Sequence, residues 1–377
     1  MKKEYPYWIA FSQLPRMTNL KKNSIIIKLH EMQSTLVDFF HFDEKTLKSE
    51  FELNDKELIN LAEQKKELPN FSFIAEDLLN QGYDIIPIIS PEYSPTMKSN
   101  LKKKYSPPLI YTKGNKKIMK EESIAIVGSR KAGKRSLEFT DNVAKKASEK
   151  FKVIVSGFAK GVDKQALDSA IKHKGQSIIV LPQGIMTYAS GFKKYYKYIA
   201  EGDVLVLSTF FPKSPWSVQL AMARNPIIYG LAKEIYVAES SNKGGTWSGV
   251  HDGLKKGREI YIRIPEENEK NANNILIEKG GTPVDFYGEP VEQKTVMDDE
   301  TQSKDNTSDI NEIDERICSL LSKGEYTSKE IVEKLKIDWK PHSMTSYLKK
   351  KDEILLIKEK PLKFTTKKSN SQISLFG

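Results

Sequence analysis

Short apolar runs alternate with helix-length stretches through the middle of the chain. Eight such runs recur from Gly82 onward, at Ile85–Ile89, Leu109–Tyr111, Ile124–Val127, Val153–Val155, Ile178–Leu181, Val204–Leu207, Ile235–Ala238 and Ile260–Ile264. Unbroken runs of this length are typical of strands that are buried on both faces of a sheet. Strands in alternation with helices predict an α/β fold, with a parallel sheet that carries helices on both faces. The predicted sheet domain spans residues 71–288.

Residues 1–70 predict a small helical domain, of the SAM or helix-hairpin-helix kind. Apolar positions in this region follow helical spacing. Asn54 and Asp55 are placed to cap a helix that includes Leu58 and Leu61. No catalytic grouping is present there.

Three segments follow the sheet domain. Residues 289–308 are acidic and poor in apolar side chains, which predicts a flexible linker. Residues 309–366 predict a winged helix, from an apolar helical face at Ile310–Leu321, a capping box at Thr327–Glu330, a helix near Ser343–Lys350 and a hairpin of Ile354–Ile357 with Leu362–Phe364. A winged helix binds DNA or protein, and the sequence leaves both open. Residues 367–377 predict a disordered tail.

Two glycine-bearing turns mark the candidate chemistry. Gly128-Ser129 ends one predicted strand, and Ser156–Gly161 ends the next. Backbone N–H groups at the start of a following helix attract phosphate, and both turns lie at the carboxyl edge of the sheet, where ligands bind. Neither a GxGxxG fingerprint nor a P-loop is present. Cations accompany the turns instead, which predicts a site for more than one phosphate; they are Arg130, Lys131, Lys134, Arg135, Lys160 and Lys164.

Composition narrows the function classes. The net charge of +10 over 377 residues favours a polyanionic partner. The single cysteine, Cys318, excludes a disulfide framework, and the five histidines lack metal-ligand spacing, so neither a metal nor a cofactor is predicted. No export signal and no apolar stretch of membrane-spanning length are present, which predicts a cytoplasmic protein without membrane contact.

Several motifs, taken in order, resemble one known family. They are G-S-R at Gly128–Arg130, S-G-F-A-K-G-V-D at Ser156–Asp163, I-I-V-L-P-Q-G at Ile178–Gly184, A-R-N-P-I-I-Y-G-L-A at Ala223–Ala232, K-G-G-T at Lys243–Thr246 and G-R at Gly257-Arg258. In this order they resemble the DNA-processing protein A family, also called Smf (DprA/Smf), of bacterial natural transformation. The resemblance covers roughly residues 5–287, and a C-terminal winged helix agrees with it in kind.

The resemblance implies a non-catalytic protein that binds single-stranded DNA. Such a protein protects incoming or exposed single strands and loads RecA recombinase onto them, usually as a homodimer through its Rossmann-like domain. The predicted DNA groove joins the residues that match the motifs with their neighbouring cations; it comprises Gly128, Ser129, Arg130, Lys131, Lys134, Arg135, Ser156, Gly157, Phe158, Ala159, Lys160, Gly161, Arg224, Asn225, Lys243, Gly244, Gly245 and Thr246.

Side chains near the turns allow more than one interpretation. Phe158, Phe210 and Phe211 either stack on bases or belong to the core, and the core interpretation is favoured for each of them. Asp163 opens a helix, and it is predicted to cap that helix rather than to perform chemistry.

The last residues contain a second candidate interaction site. Gln372-Ile373-Ser374-Leu375-Phe376 resembles the peptide with which bacterial proteins dock on the DNA polymerase sliding clamp. Leu375 and Phe376 would fill an apolar pocket, and Gln372 would form hydrogen bonds there. The sequence therefore predicts the sliding clamp as a further partner.

Two other function classes remain open. The segment Lys243–Gly249 resembles the phosphate loop of nucleoside-monophosphate phosphoribohydrolases, but it lacks their catalytic glutamate and is followed by His251. The chain also departs from the DprA/Smf pattern at Leu167, at Pro226 and in the turn G-G-T-W-S-G-V at Gly244–Val250. These departures leave open an adaptor in a defence or mobile-element system, in which the sheet domain only dimerises.

Overall fold

The computed structural model describes residues 2–291, 316–336, 341–348, 354–357 and 363–366. Contacts divide the chain into two compact units, Met1–Gln293 and Lys294–Gly377. Residues 292–308 of the predicted linker lie outside the described residues. The predicted tail, with the clamp-binding residues Gln372–Phe376, also lies outside them.

Six helices open the first unit. They are α1 (Tyr5–Ser12), α2 (Asn19–Glu31), α3 (Leu36–Phe39), α4 (Glu44–Phe51), α5 (Asp55–Lys66) and α6 (Leu68–Asn80), after a 3-10 turn at Lys2–Glu4. The predicted cap of α5 is confirmed, because the Asn54 side chain accepts a hydrogen bond from the N–H of Glu57 and the Glu57 side chain accepts one from the N–H of Asn54. The helical region continues past residue 70, since α6 buries Phe71, Ala75 and Leu78 on one face.

The rest of the first unit alternates strands with helices, as the apolar runs predict. The strands are β1 (Asp84–Pro87), β2 (Leu109–Lys113), β3 (Ser123–Gly128), β4 (Val153–Ser156), β5 (Ser177–Val180), β6 (Val204–Ser208), β7 (Glu234–Glu239), β8 (Glu259–Arg263) and β9 (Thr282–Val284). The helices are α7 (Pro95–Tyr105), α8 (Lys134–Glu149), α9 (Val162–Lys172), α10 (Ala189–Glu201), α11 (Val218–Leu231), α12 (Gly245–Lys255) and α13 (Asn273–Glu278), with 3-10 turns at Lys116–Lys120 and Ile185–Thr187.

All nine strands form one sheet, in the order β1-β2-β6-β5-β4-β3-β7-β8-β9. The neighbouring strands β6, β5, β4, β3, β7, β8 and β9 all run parallel to one another, as predicted. The prediction of a wholly parallel sheet is wrong at one edge, because β1 pairs antiparallel with β2 and β2 pairs antiparallel with β6. A strand that is buried on both faces has the same apolar composition whether it runs parallel or antiparallel to its neighbour. Only the hydrogen-bond pairing of the strands therefore reveals their direction.

Helices cover both faces of the sheet. On one face, α8 and α9 pack against β3 and β4, while the N-terminal helices and α10 share a core with β1, β2 and β6. On the other face, α7, α11, α12 and α13 contribute to a second core. The strand ends between these layers form the carboxyl edge of the sheet, where the two predicted turns lie.

The second unit contains the elements expected of a winged helix. Residues 316–321 are helical, the helix Ser328–Leu335 begins at the predicted capping box of Thr327 and Glu330, and a further helix spans Pro341–Leu348. Three short strands, β10 (Tyr326–Thr327), β11 (Ile354–Ile357) and β12 (Lys363–Thr366), pair in the order β10-β12-β11. The connection between β11 and β12 lies outside the described residues, and the assignment as a winged helix stays a prediction. Across the described part of both units, helices that combine membrane-spanning length with sufficient apolar character are absent.

Candidate nucleic-acid interface

Three loops meet at the carboxyl edge of the sheet. They follow the strands β3, β4 and β7, which are direct neighbours in the sheet. Together with α11 they enclose a cleft of about 380 Å³, which we call the glycine cleft. The predicted groove residues that line it are Gly128, Ser129, Arg130, Ala159, Arg224, Asn225, Lys243, Gly244, Gly245 and Thr246.

The first two turns pack against each other rather than against open space. Gly161 adopts a φ of +79°, and a Cβ placed on it would stand 2.3 Å from the carbonyl oxygen of Ser129. A Cβ on Gly128 would stand 2.6 Å from Cγ2 of Val162. These glycines therefore permit close contact between the two turns, while their role as phosphate contacts stays a prediction.

The starts of α8 and α9 are already occupied by protein oxygens. The side chain of Glu239 accepts hydrogen bonds from the N–H of Gly133 at 3.0 Å and from the hydroxyl of Ser136 at 2.7 Å. At the start of α9, the N–H of Val162 donates to the Ser129 carbonyl at 3.3 Å. One backbone N–H at each of these helix starts therefore already has a protein acceptor, and phosphate binding at the two starts stays a prediction.

The third turn differs from the first two. Gly244 has a φ of +94°, and a Cβ on it would meet nothing within 4 Å. It precedes α12, whose first residues Gly245 and Thr246 line the glycine cleft and receive no side-chain cap. The start of α12 is thus open to an anion on the side of the glycine cleft.

A buried ion pair lies beneath the cleft. Arg224 on α11 is 3% exposed, its Nη2 donates to the Gly157 carbonyl at 3.0 Å, and its Nη1 lies 3.7 Å from the Asp163 carboxylate. Burial raises the pKa of Asp163, while Arg224 and the N–H groups of Gly157 and Ala159 oppose that rise. Burial also lowers the pKa of Arg224. The prediction that Asp163 caps α9 is wrong, because its carboxylate accepts hydrogen bonds from the preceding loop and pairs with Arg224.

Arg224 retains unused hydrogen-bonding capacity. Its Nε and Nη1 have no hydrogen-bond partner among the described residues, although the side chain lines the cleft. Buried donors of this kind are normally satisfied by protein, water or a ligand. A phosphate oxygen at the floor of the cleft is a suitable acceptor for them.

The predicted cations fall into three groups. Arg130 and Lys243 are exposed, line the cleft and form no ion pair within the described part of the chain. Lys131 and Lys160 are exposed beside the cleft without lining it. The remaining three form ion pairs with carboxylates. Lys134 lies 3.7 Å from Glu138, Lys164 lies 2.7 Å from Asp168, and Arg135 lies 2.6 Å from Glu266 with its guanidinium 5.0 Å from the ring of Phe286.

Ser156, Gly157 and Phe158 support the cleft from below. Ser156 is buried, and its hydroxyl donates to the backbone carbonyl of Asp163 at 3.1 Å. Phe158 adopts a φ of +58° and packs edge to face on Tyr188 and Tyr195, with ring centroids 5.4 and 5.5 Å away. This packing agrees with the core interpretation of Phe158.

The two later phenylalanines also have protein contacts. Phe211 packs edge to face on Phe71 at 6.4 Å, again in agreement with the core interpretation. Phe210 is half-buried, and its N–H donates to the hydroxyl of Ser208 at 3.2 Å. Neither side chain lines the glycine cleft.

Sequence reasoning missed several residues of the site. Glu239 ends β7 and Ser241 follows it, so the rule that strand ends carry function points to them as well as to the first two turns. Val218 and Met222 on α11 supply an apolar wall, with 60% and 46% of their surface exposed. No local motif marks these two, because only the crossing of α11 over the sheet brings them to the cleft.

The alternative enzyme site finds little support in the geometry. Nδ1 of His251 lies 2.9 Å from the carbonyl of Trp247, and its ring lies 4.3 Å from the Trp247 ring, outside the lining of the cleft. Asp252 pairs with Lys256 at 2.6 Å. Among the residues that the structure describes, no group of three or more His, Cys, Asp or Glu side chains could hold a metal.

The sheet order and the cleft at its carboxyl edge define a Rossmann-like α/β protein. The family model of DNA recombination-mediator protein A matches residues 84–293, more than half of the chain, and the chain belongs to this family. The resemblance to DprA/Smf proteins is therefore confirmed. Proteins of the family are generally non-catalytic recombination mediators.

Individual relatives share about a third or less of their residues with this chain, and only over part of their length. The DNA processing protein DprA of Streptococcus pneumoniae is 33% identical over 158 residues, which are 41% of this chain and 55% of that protein. The DNA processing protein DprA of Bacillus subtilis is 30% identical over 184 residues, which are 48% of this chain and 60% of that protein. The chain thus spans little more than half the length of these curated relatives.

One solved structure shows the same fold. The crystal structure of DNA processing protein A from Streptococcus pneumoniae matches with a TM-score of 0.61 at 23% identity, over 74% of this chain and 93% of that one. At this identity the match establishes the fold alone.

Proposed function

We propose that the protein binds single-stranded DNA in the glycine cleft and acts as a recombination mediator. Family membership supports this role, and the observation that carries it is the set of donors around one cavity. The open start of α12, the rim cations Arg130 and Lys243, and the unsatisfied donors of Arg224 all line the same cleft. Such an arrangement of backbone and cationic donors suits phosphodiester oxygens.

The side chains that line the cleft favour a single strand over a duplex. Its walls combine these donors with the apolar side chains of Val218 and Met222. Proteins that bind single strands without base preference follow the phosphates with cations and hold the bases on apolar or aromatic surface. A duplex keeps its bases stacked inside, so the apolar wall would contribute little to binding it.

Binding of short oligothymidylate to rim variants tests this proposal. Arg130→Ala and Lys243→Ala are each expected to weaken binding by about tenfold, because each removes a charge-assisted hydrogen bond to a phosphate. The slope of log affinity against log salt should become shallower by about 0.7 for each phosphate that the variant no longer neutralises. Gel shift or fluorescence anisotropy over a salt series measures both quantities.

A matched control and a decisive contrary result are available. Lys150→Ala removes the same charge from an exposed lysine that directly follows α8 at the opposite edge of the sheet, so it should leave binding unchanged. If both rim variants bind like the parent protein, the cleft does not hold the strand and the adaptor interpretation is favoured. Release of free base from AMP or GMP would instead favour the phosphoribohydrolase alternative.

The partners of the bound complex are part of the proposal. We infer that the protein loads RecA onto the strand and acts as a homodimer, which the family's description as recombination mediators supports. RecA loading is measured by the formation of RecA filaments on single strands coated with a single-strand-binding protein, with and without the present protein. The homodimer is measured by analytical ultracentrifugation.

We also propose the sliding clamp as a partner of the tail. Capture of the protein by purified sliding clamp should be lost when Leu375 and Phe376 become Ala, and undiminished capture would reject clamp binding.

A further inference from the structure

We propose that the strand continues from the glycine cleft across a second surface on α9 and α10, which acts as a stacking and phosphate-tracking subsite. We call this surface the α10 face; it consists of Lys160, Lys164, Lys193, Lys194, Tyr196 and Lys197. The inference rests on the proposed function, because it assigns the path of the same strand beyond the cleft.

One side of α10 is built for the core and the other is not. Tyr195 and Ile199 are buried against the N-terminal helices and the sheet. Lys193, Tyr196 and Lys197 are exposed, and their spacing of three and four residues places them on one side of the helix. Lys197 also lies 3.9 Å from the exposed Glu201 at the end of the helix, a solvent-screened pair that a phosphate can replace. Tyr196 has 69% of its surface exposed, which is unusual for a large aromatic side chain in the middle of a helix.

Contacts between α9 and α10 make the cationic surface continuous. Asp168 on α9 accepts hydrogen bonds from Lys164 at 2.7 Å and from the Tyr195 hydroxyl at 3.0 Å, and Lys194 on α10 lies 3.8 Å from it. Lys194 also donates to the Tyr195 hydroxyl at 2.7 Å. The Asp168 carboxylate is thus shared by two lysines, which leaves an excess of positive charge between the two helices.

The α10 face begins beside the glycine cleft. Lys160 belongs to the loop after β4, whose residue Ala159 lines the cleft, and Lys164 lies in the first turn of α9. β5 is the next strand along from β4, and the chain passes from its end through a 3-10 turn into α10. Because the ends of parallel strands share one edge, the first turns of α10 lie at the same edge of the sheet as the cleft.

The chemistry of this surface identifies its occupant. Lysines three residues before and one residue after an exposed tyrosine offer phosphate contacts on either side of an aromatic platform. An unpaired base stacks on such a platform, whereas the bases of a duplex are not available to it. Charge complementarity therefore favours a single-stranded polynucleotide over a neutral or cationic partner.

Two oligonucleotide lengths separate the α10 face from the cleft. Tyr196→Ala and the double variant Lys193→Ala with Lys197→Ala are compared on oligothymidylates of about 5 and about 20 nucleotides. On the long strand, Tyr196→Ala should lower affinity at least about fivefold, since it removes one stacked base. The double variant should reduce the salt slope by about 1.4, which corresponds to two phosphate contacts on a single strand. On the short strand, both variants should bind like the parent protein.

Controls separate this inference from the function on which it rests. Tyr287→Ala removes a tyrosine of similar exposure, 64%, near the β9 end of the sheet, and Lys150→Ala removes a lysine from the opposite edge. Both should leave long-strand binding unchanged, and all variants should unfold at the temperature of the parent protein. Unchanged long-strand affinity in both α10 variants overturns the inference, as does equal weakening on both lengths. If Arg130→Ala bound the short strand as tightly as the parent protein does, the proposal that DNA binds in the glycine cleft would itself be rejected.

Discussion

At the scale of single residues, Gly157 shows how tightly the site is built. The guanidinium of Arg224 lies directly over this glycine, so that a Cβ on it would stand 1.5 Å from Nη1. Arg224 in turn neutralises the buried carboxylate of Asp163. The packing of an arginine more than sixty residues later in the chain therefore accounts for the glycine in S-G-F-A-K-G-V-D.

Gly157→Ala is expected to destabilise the protein by about 3 kcal/mol or more. The methyl group displaces Arg224, and the Asp163 carboxylate is then left buried without its partner. Urea unfolding measures the loss.

Gly133→Ala serves as the control, because a Cβ on that glycine would stand 3.8 Å from its nearest neighbour, Oε2 of Glu239, and the position needs no positive φ. Its effect should stay within about 1 kcal/mol, the usual range for a helix N-cap. Equal stability of Gly157→Ala and the parent protein would show that Arg224 can leave its position without penalty.

At the scale of elements, the three helix starts at the carboxyl edge have different roles. Glu239 occupies the start of α8, and the Ser129 carbonyl occupies the start of α9. Only the start of α12 remains open toward the cleft among these three. We therefore expect binding at this edge to depend on one helix terminus together with the cations around it, rather than on a pair of equivalent turns.

Thr246→Glu tests the role of α12 without weakening the helix. A carboxylate in the first turn of a helix stabilises it by about 0.3–1 kcal/mol, but here it would repel a bound phosphate. We expect unchanged or slightly higher thermal stability, with affinity for single-stranded DNA lowered about tenfold. Anisotropy titration and thermal unfolding give the two readouts.

Thr246→Gln is the matched control, because it adds a side chain of nearly the same size without the charge. Its affinity for DNA should stay within about threefold of the parent protein. If the Glu and Gln variants lose affinity equally, the effect is steric and the start of α12 is not an anion site.

At the scale of the whole molecule, the N-terminal helices and the sheet share one core. Trp8, Phe11 and Phe39 belong to the same buried cluster as Tyr111 and Val206 of the sheet. Asn23 on α2 also donates hydrogen bonds to the carbonyls of Lys103 and Ser106, at the end of α7. The first unit is therefore expected to unfold in a single transition.

Lys22 makes that transition depend on pH. Burial lowers the pKa of Lys22 to about 8 from its ordinary value of 10.5. Below pH 8 the side chain is charged in both the folded and the unfolded state, so the burial penalty is fully present. Between about pH 8 and 10.5 only the folded state has lost the proton, and the stability of the first unit should rise by on the order of 3 kcal/mol.

Lys22→Met isolates this contribution. The difference in unfolding free energy between the variant and the parent protein should favour the variant at pH 7 and shrink toward pH 10.5, because all other titrations are shared. Urea unfolding at several pH values measures it. A difference that does not change with pH would contradict the lowered pKa.

The sequence alone determined the class of fold and the region of the site. Buried parallel strands leave unbroken apolar runs, and strand ends leave small polar turns, so both features are local and readable. The motifs Gly128–Arg130, Ala223–Ala232 and Lys243–Thr246 do contribute to one cleft, as the resemblance to the family implies.

Only the tertiary structure decided which groups at that edge are free. Arg130 and Lys243 stayed available, whereas Arg135 was taken by Glu266. Arg224 is held by the Gly157 carbonyl and Asp163, but its Nε and Nη1 keep no hydrogen-bond partner among the described residues. The direction of β1 and β2 and the arrival of Val218 and Met222 at the cleft were likewise settled by packing. The physical reason is that hydrogen-bond and ion partners come from distant parts of the chain, so a local pattern reveals a donor but not whether it is already satisfied.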